Sequence, residues 1–433
     1  MSEGVGARMA RAAYSTLLCV IAPLYALRVL RRGRTEPLYA EHLGERFGVY
    51  RAPSAGGALW IHAVSLGETR AAGALIAALR DAIPGLRIVL TNGTATGRAA
   101  ARELVRDGDE QAWLPVDTPG AVQRFLRHFR PVAGVLMETE IWPNLLAQAR
   151  VARLPVVLAN ARLSERSRRR GARVDLVMRP AFESLALVLA QSMEDAKRLR
   201  EAGAVDVRIV GNLKFDITPE PSLQAMGRRW KEIAGRAVVL AAITREGEEA
   251  LLLAAWRGVA APRPLLAIVP RHPQRFDAVA ELVVASGFSL SRRSSWDSEP
   301  PPTAASADVW LGDSMMEMPA YYALADVALL GGSFLPFGGQ NLIEAAACGC
   351  PVVMGPHTFN FADAAALSLA AGASVRVGSI DEGVAVAIGA LGSESLATQA
   401  EAALGFAASH QGAAKRSAEV VAALVRSAEA RPA

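Results

Sequence analysis

The sequence predicts an α/β protein with two parallel sheets, and therefore two domains. Short apolar runs that suit buried strands alternate with Ala- and Arg-rich helical stretches along the chain, which is the signature of parallel α/β layers. The pattern restarts near the middle, and 433 residues exceed what one ordinary core accommodates. Hydrophobic residues make up 52% and charged residues 21%, as in a globular chain rather than a disordered one.

Each half of the chain contributes its own series of strands and helices. The predicted strands cover residues 59–64, 87–91, 111–114, 134–137, 155–159 and 187–190, and then 237–242, 264–269, 308–311, 327–331 and 351–354. Helical composition lies between them, as at 69–81 and 97–106, and returns in the tail at 396–431. The second series therefore predicts a second sheet.

A polar segment at residues 211–222 separates the two series, and Pro219 and Pro221 would break any helix there. We expect the hinge in this segment. The predicted domains are an N-terminal helix at 1–35, α/β domains at 36–215 and 223–410, and a C-terminal helix at 411–433 that can pack back toward the first domain. The proline-rich run at 294–306 predicts an exposed loop.

The N-terminal segment at residues 14–30 is apolar apart from Arg28 and has arginines on both sides. A membrane anchor or interfacial helix fits it best, because arginines at its ends suit anionic headgroups. A buried core helix is the plain alternative. A cleaved signal peptide fits least, since no small-residue cleavage site precedes the basic run. Whether the segment spans the bilayer or lies on it stays open.

Cysteine, histidine and charge usage limits the chemistry. Three cysteines cannot build a disulfide framework, and six scattered histidines lack the spacing of a metal site. Arginine clusters near the N-terminus and at 166–173 suit an anionic partner. The aromatic and basic alternation of an RNA-binding sheet is not visible, so we expect a membrane surface rather than nucleic acid.

Two polar segments follow strands of the first half. In HAVSLGET, Glu68 would lie in a turn at the carboxyl edge of the sheet, where open α/β sheets bind ligands. It could act as a general base, or be a first-turn acid favoured by the helix dipole. In METEIWPNLL, Glu138 and Glu140 stand beside Trp142. This pair suits a sugar or cation contact, and equally an exposed acidic turn.

Lys214 in GNLKFD and Arg271 in VPRHPQRF are the candidate cations. Lys214 lies at the predicted hinge, although a solvated lysine is the plain alternative. Arg271 follows a strand and is bracketed by Pro270 and Pro273, so its backbone direction is restricted. An arginine fixed at a strand end suits phosphate recognition through its planar donor fork.

The last segments are GDSMMEM and the glycine-rich run from Gly331 to Phe361. Glycines at 338 and 339 permit a close backbone approach, and Asn341 can cap a helix that carries Glu344. Such a turn and helix start would suit an anion, with Glu344 placed to grip a ribose. As a set, these strand-end clusters from both halves would open onto one interdomain cleft.

The motifs HAVSLGE, TNGTATG, METEIWPN, NARLS, GNLKFD, PRHPQRF, GGQNLIEAA and MGPHTFNF together resemble the 3-deoxy-D-manno-octulosonic acid (Kdo) transferases. The resemblance implies the GT-B fold, with an acceptor-binding and a CMP-Kdo-binding Rossmann-like domain facing a cleft. It implies inverting, metal-independent transfer of Kdo from CMP-Kdo to a lipid A precursor (lipid IVA), on the cytoplasmic side of the inner membrane and without a cofactor.

The resemblance also implies roles for particular residues. Glu68 would be the proton acceptor, and Glu138 and Lys214 would stabilise the transition state. The residues implied to hold CMP are Pro270, Arg271, Met315, Met316, Glu317, Asn341, Leu342, Ile343 and Glu344.

The chain departs from the family pattern at three positions. Ile243 and Arg245 occupy the outer places of a turn that is usually Ser-Thr-His, and Met316 stands where glycine is common. Two other functions remain as alternatives. One is a GT-B transferase that uses a UDP-sugar on a lipid-linked acceptor, and the other is a non-catalytic nucleotide-sugar or lipid-binding protein. The number of Kdo units added is not predicted.

Overall fold

A computed structural model describes residues 4–429. The chain divides into two compact units, Met1–Asp216 with Gln411–Ala433 (unit 1) and Ile217–His410 (unit 2). Residues 1–3 and 430–433, at the outer ends of the two predicted terminal segments, lie outside the described residues.

Unit 1 is built on a seven-stranded sheet in which every pair of neighbouring strands is parallel. The strands are β1 (Leu59–His62), β2 (Ile88–Asn92), β3 (Glu110–Trp113), β4 (Ala133–Met137), β5 (Val156–Ala161), β6 (Leu187–Ala190) and β7 (Val207–Ile209), and their order is β3-β2-β1-β4-β5-β6-β7. The sheet is buried on both faces, which explains why most of its strands read as continuous apolar runs.

Eight helices of unit 1 precede the hinge. They are α1 (Val5–Arg32), α2 (Leu66–Ala82), α3 (Ala95–Ala101), α4 (Pro119–Phe129), α5 (Pro143–Val151), α6 (Glu165–Ala172), α7 (Asp175–Glu183) and α8 (Met193–Glu201). A hydrophobic core lies on each face of this sheet, and successive side chains of β1 point into the two cores in turn, because side chains alternate along a strand. Trp60 packs with residues of α4, α5 and α8, whereas Leu59 and Ile61 pack with residues of α2.

Helix α1 packs on α7 and α5. The Tyr14 hydroxyl donates to Asp117 Oδ2 at 3.0 Å, and the Ser15 hydroxyl donates to Asn144 Oδ1 at 2.8 Å. Among the residues of α1 only Val29 is buried, so the alternative of a buried core helix is wrong. The helix is long and apolar enough to cross a membrane, with a mean hydropathy of 1.6 over its most apolar window.

Unit 2 contains a second parallel seven-stranded sheet. Its strands are β8 (Val238–Thr244), β9 (Leu265–Pro270), β10 (Leu290–Arg292), β11 (Val309–Leu311), β12 (Val327–Leu330), β13 (Val352–Met354) and β14 (Ser374–Arg376), in the order β10-β11-β9-β8-β12-β13-β14. Its helices are α9 (Pro221–Ala234), α10 (Glu248–Trp256), α11 (Phe276–Ala285), α12 (Met318–Leu324), α13 (Leu342–Ala347), α14 (Ala362–Ala370), α15 (Ile380–Ala390) and α16 (Glu394–His410). The predicted α/β class with two parallel sheets is confirmed.

After unit 2 the chain returns to unit 1 as α17 (Ala413–Glu429), which packs on α2. Ala418, Val421 and Val425 of α17 belong to the core on that face of the first sheet. The Asp216 carboxylate accepts from the backbone N–H groups of Gly412 and Ala414. An acid at a helix start satisfies donors that the helix itself cannot, so Asp216 ties down the first turn of α17.

Three strands escaped the sequence prediction: β7, β10 and β14. Each has three residues, and each is partly exposed. All three lie at sheet edges, where the continuous apolar run that marks a buried strand is lost. The helix predicted at 97–106 was placed too late, because Thr94 caps its start and the helix covers Ala95–Ala101.

The segment at 294–306 is mostly exposed, as its prolines suggested, but buried residues anchor it to unit 2. Trp296 is 6% exposed and Ala304 is 1% exposed. The Trp296 ring packs edge-on against Trp310, with centroids 4.9 Å apart, and against Trp230 at 5.4 Å. The aromatic cluster holds the segment onto unit 2, because a buried tryptophan removes a large apolar area from water.

Replacing Trp296 by Ala tests this packing. We expect a loss of about 3 kcal/mol in the free energy of unfolding, since the substitution leaves a cavity between Trp230 and Trp310. Urea unfolding followed by circular dichroism measures it. The exposed neighbour Asp297→Ala serves as control and should change stability by less than about 0.5 kcal/mol. A Trp296→Ala loss as small as that of the control would show that Trp296 does not anchor the segment.

Candidate active site

The site in unit 1 lies where the strand order reverses direction, between β1 and β4. The helices that follow these two strands pack in cores on opposite faces of the sheet, α2 in one and α5 in the other. Such a switch point leaves a crevice at the carboxyl ends of the strands, where open α/β sheets bind ligands. Glu68 comes from the turn after β1, and Glu138 comes directly after β4.

Glu68 occupies the first turn of α2, whose N-cap is Ser65. Its carboxylate accepts from Val64 N at 2.8 Å and from the Ser65 hydroxyl at 3.0 Å. This is a close variant of the capping box, in which the acid reaches back over the helix start. Burial raises the pKa of Glu68 above its ordinary value, although the two hydrogen bonds oppose that rise. Glu68 is therefore an acid of the first helical turn, and this position also suits a base whose pKa burial has raised.

Glu138 is 9% exposed and has a left-handed backbone, with φ 57°. Its Oε1 lies 3.0 Å from Lys214 Nζ, and its Oε2 lies 3.6 Å from Arg162 Nε. A non-glycine residue in this conformation is uncommon and costs on the order of 1–3 kcal/mol, so other contacts must hold it in place. The buried carboxylate between two cations excludes the interpretation of an exposed acidic turn.

Lys214 lies in a short 3₁₀ turn, Leu213–Phe215. The side chains on either side of it, Leu213 and Phe215, are buried, and the turn is fixed by Asn160 and Asn212. Asn160 Oδ1 accepts from Leu213 N at 3.0 Å, and Asn212 Oδ1 accepts from Lys214 N at 2.9 Å. The ammonium is therefore directed at Glu138 and is not a freely solvated lysine.

Glu140 adds a third carboxylate to the group. It accepts from Trp142 Nε1 at 2.9 Å and lies 3.9 Å from His62 Nε2. Burial, with the charge of Glu68 as the next cause, raises the pKa of Glu140 to about 7. Burial lowers the pKa of His62 to about 4, so His62 is neutral at physiological pH. Neither neighbour brings a full positive charge to Glu140, and the carboxyl holds its proton unusually well.

In unit 2, Pro270 and Arg271 lie at the end of β9. The Arg271 backbone N–H donates to Thr244 O at 3.0 Å, which joins the ends of β9 and β8. The departures Ile243 and Arg245 lie on either side of Thr244. Ile243 has φ 58°, and the Arg245 guanidinium stacks over the Phe337 ring at 4.5 Å. Positive φ is strained for a β-branched residue, so this turn has an unusual backbone shape at Ile243.

Met315, Met316 and Glu317 follow β11, the neighbour of β9. Met316 is 82% exposed and has φ 66°, a conformation that glycine adopts more easily. The Glu317 carboxylate is held by two bonds from Arg293, at 2.8 and 3.1 Å, and by the Ser314 hydroxyl at 2.5 Å. Its oxygens therefore already have protein partners.

The glycine-rich turn precedes α13. Gly338 and Gly339 have φ 91° and 78°, and a Cβ on Gly338 would lie 2.4 Å from Asn360 Nδ2. Asn341 caps α13 through its Oδ1, which accepts from Ile343 N at 3.1 Å, as the sequence predicts. Leu342 and Ile343 are each 1% exposed, so neither side chain is free to contact a ligand.

The sequence interpretation gave no role to Glu248, which organises the site region of unit 2. This acid is 1% exposed. It accepts from Arg245 N at 2.8 Å, Gly332 N at 2.7 Å and Phe334 N at 3.1 Å. One carboxylate thus fixes the loops after β8 and β12. The neighbouring Glu249 is bound by Arg275 at 2.6 and 2.8 Å. The sequence signal that could have indicated this role was the pair of acids in Gly247–Glu249, soon after β8.

The structure brings Glu68, Glu138 and Lys214 to one edge of unit 1, and the charges of the last two act on the pKa of Glu68. The candidate donor residues lie at the carboxyl edge of the second sheet, after β9, β11 and β12. Within residues 4–429, no group of three His, Cys, Asp or Glu side chains is placed to hold a metal ion.

Comparison with known proteins agrees with this architecture. A glycosyltransferase structure from Rickettsia africae matches with a TM-score of 0.53 at 12% identity, covering 86% of this chain and 99% of that chain. This likeness confirms the GT-B type of fold.

Residues 41–217 match the family model described as 3-deoxy-D-manno-octulosonic-acid transferase (kdotransferase). The 3-deoxy-D-manno-octulosonic acid transferase of Bordetella pertussis is 46% identical, covering 94% of this chain and 98% of the relative. That of Haemophilus influenzae is 35% identical, covering 80% and 82%. The chain therefore belongs to the 3-deoxy-D-manno-octulosonic acid transferases, a family of glycosyltransferases.

Proposed function

We propose that this transferase moves Kdo from CMP-Kdo to the glucosamine disaccharide of a lipid A precursor (lipid IVA) in a single inverting displacement that needs no metal. The observation that carries the proposal is the arrangement around Glu68. A carboxylate of raised pKa lies at the switch point of unit 1, in the same group as the ion pair of Glu138 and Lys214.

Glu68 is the proposed general base. It takes the proton of the acceptor hydroxyl as that oxygen forms its bond to the anomeric carbon of Kdo. The bond from that carbon to the phosphate oxygen of CMP breaks in the same step, and CMP leaves with the electron pair. A base is most effective when its pKa lies near the working pH, and burial moves Glu68 in that direction.

Glu138 and Lys214 are the proposed stabilisers of the transition state. Positive charge develops on the sugar ring as the bond to phosphate lengthens, and a buried carboxylate favours it. Negative charge develops on the leaving phosphate, for which the Lys214 ammonium is a suitable partner. The 3.0 Å pair keeps both groups in place before the substrate arrives.

The donor contacts are proposed for unit 2. Arg271, at the end of β9, would pair with the phosphate. Glu344, in the first turn of α13, would bind the ribose. The other residues proposed to hold CMP are Pro270, Met315, Met316, Glu317, Asn341, Leu342 and Ile343. The Glu317 carboxylate is already bound by Arg293, which supports a contact through its backbone instead.

We also propose that α1 attaches the enzyme to the cytoplasmic face of the inner membrane. Leu17, Val20 and Leu24 are 58%, 69% and 66% exposed, and Arg31 and Arg32 lie in the last turn. Exposed apolar side chains next to arginines suit an anionic lipid surface. Tyr14 and Ser15 of α1 bond to Asp117 and Asn144 of the same unit, which favours a helix that lies along the membrane.

Replacing Glu68 by Gln separates its two roles. Glutamine can still accept from Val64 N and complete the capping box, so stability should change by less than about 0.5 kcal/mol. Because glutamine cannot take a proton, kcat for Kdo transfer should fall by about 10²- to 10⁴-fold. Transfer from CMP-Kdo to lipid IVA, measured together with the melting temperature, tests both expectations.

Glu68→Ala is the matched control, since it removes the cap as well and should lose about 1 kcal/mol of stability. Native-like transfer by Glu68→Gln would remove Glu68 from the mechanism. In the native enzyme, kcat/KM should decline as the pH falls through the raised pKa of Glu68, because the protonated base is inactive.

Glu140 predicts a pH-dependent stability. Its pKa rises from an ordinary 4.5 to about 7 on folding, so the folded state binds the proton more tightly. The stabilisation is complete below pH 4.5 and is lost as the pH rises through about 7. Glu140→Gln, which can still accept from Trp142, should therefore match the native protein at pH 4 and exceed it at pH 8 by on the order of 3 kcal/mol. Equal stability of the two proteins at both pH values, by urea unfolding, would contradict the account.

A further inference from the structure

A cavity of about 450 Å³ lies in unit 1 next to Glu138, one of the proposed catalytic residues. It is lined by the loops after β4 and β5 and by residues of α6, α7 and α8. Its volume falls within the range of ordinary small-molecule sites. None of its lining residues has been given a role in the reaction above.

The interior of this cavity is apolar. Leu158, Phe182 and Leu199 line it and are 0%, 5% and 1% exposed. Leu163 and Met178 add further apolar surface. Aliphatic and aromatic walls of this kind favour a hydrocarbon segment over a sugar or a nucleotide, because each buried methylene gains free energy on leaving water.

Charged side chains also line the cavity. Arg162, Arg168, Arg170 and Arg179 contribute positive charge, and Asp175 and Glu201 contribute negative charge, which leaves a net charge of +2. Glu165 and Asp175 hold Arg168 and Arg179 at 2.8 Å. Across residues 4–429, Arg170 forms no ion pair within 4.0 Å, so its guanidinium is available to an anion.

The cavity adjoins the Glu138 carboxylate. Thr139, which follows Glu138 in the chain, lines it. Arg162 lines it as well and contacts Glu138 Oε2 at 3.6 Å. A molecule seated in the cavity would therefore extend toward the Glu138 carboxylate and its partner Lys214.

We propose that this cavity binds the acceptor, taking one acyl chain against its apolar walls and a phosphate at Arg170 and Arg162. The occupant is thus an acylated, phosphorylated amphiphile, and its identification with the acceptor rests on the proposed function. An acyl chain satisfies the walls, and a phosphate satisfies the excess positive charge through charge-assisted hydrogen bonds. With its acyl chain in the cavity, the acceptor would have the sugar to which that chain is attached near Glu138.

Binding of octyl phosphate to the full chain in phosphatidylcholine nanodiscs tests the cavity directly. Isothermal titration is run against a blank of empty nanodiscs, with octyl glucoside and inorganic phosphate as comparators. Octyl phosphate should bind at least about ten-fold more tightly than either comparator, because only it supplies both the chain and the charge. Octyl glucoside binding as tightly as octyl phosphate would overturn the role of the arginines.

Two variants locate the binding. Arg170→Glu should weaken octyl phosphate about ten-fold, since a charge-assisted contact is lost. Ala202→Trp should weaken it similarly by filling the cavity, with unchanged circular dichroism showing that the fold is kept. Arg173→Glu is the matched control, because it makes the same charge change just after α6 at an exposed position outside the cavity. Equal losses in Arg170→Glu and Arg173→Glu would overturn the proposal, as would full binding by Ala202→Trp.

Transfer kinetics separate this proposal from the proposed function. In Arg170→Glu, KM for lipid IVA should rise about ten-fold while kcat and the KM for CMP-Kdo stay within about two-fold. A native enzyme that transfers nothing to lipid IVA would refute the proposed function, whereas the octyl phosphate titration would still decide whether the cavity binds a phosphorylated chain. An unchanged KM for lipid IVA in both cavity variants would refute the acceptor assignment alone.

Discussion

The ion pair between Glu138 and Lys214 is the contact on which the unit 1 site depends. It joins the end of β4 to the 3₁₀ turn at Leu213–Phe215, and through Arg162 it reaches the loop after β5. The strained backbone of Glu138 persists because these contacts, together with the hydrogen bond from its own N–H to Ala159 O at 2.9 Å, outweigh the cost. Removing Lys214 would leave the buried Glu138 carboxylate poorly compensated, and removing Glu138 would leave the Lys214 ammonium without its partner.

Unit 2 uses a buried acid in a comparable way, with backbone groups as partners instead of a lysine. Glu248 accepts from N–H groups that follow β8 and β12, and so holds two site loops together. Without Glu248 these N–H groups of unit 2 would be left as unpaired donors. A carboxylate that collects several N–H groups satisfies them and keeps the loops fixed before binding, which reduces the ordering cost of recognition.

The sequence was enough to predict the two parallel sheets and the positions of Glu68 and Glu138 just after strands, because buried parallel strands have a clear apolar pattern and polar turns follow them. Lys214 was expected only in the polar segment between the two units, since the edge strand before it has no such pattern. The sequence failed for the edge strand β10 and for Trp296, since their positions depend on tertiary contacts that no local pattern records. The three prolines near Trp296 indicated a loop, but the partners Trp230 and Trp310 are distant in sequence. The contact of Arg162 was hidden for the same reason, because its partner Glu138 follows a different strand, β4.

The most direct measurement of the central claim is the mass of the product formed from lipid IVA. The purified full chain is incubated with lipid IVA and CMP-Kdo, with UDP-GlcNAc in a parallel reaction, and EDTA is added to both. The account predicts that lipid IVA gains the mass of Kdo residues with CMP-Kdo, that EDTA does not prevent it, and that UDP-GlcNAc gives no product. Unchanged lipid IVA with CMP-Kdo, or transfer from UDP-GlcNAc instead, would contradict it.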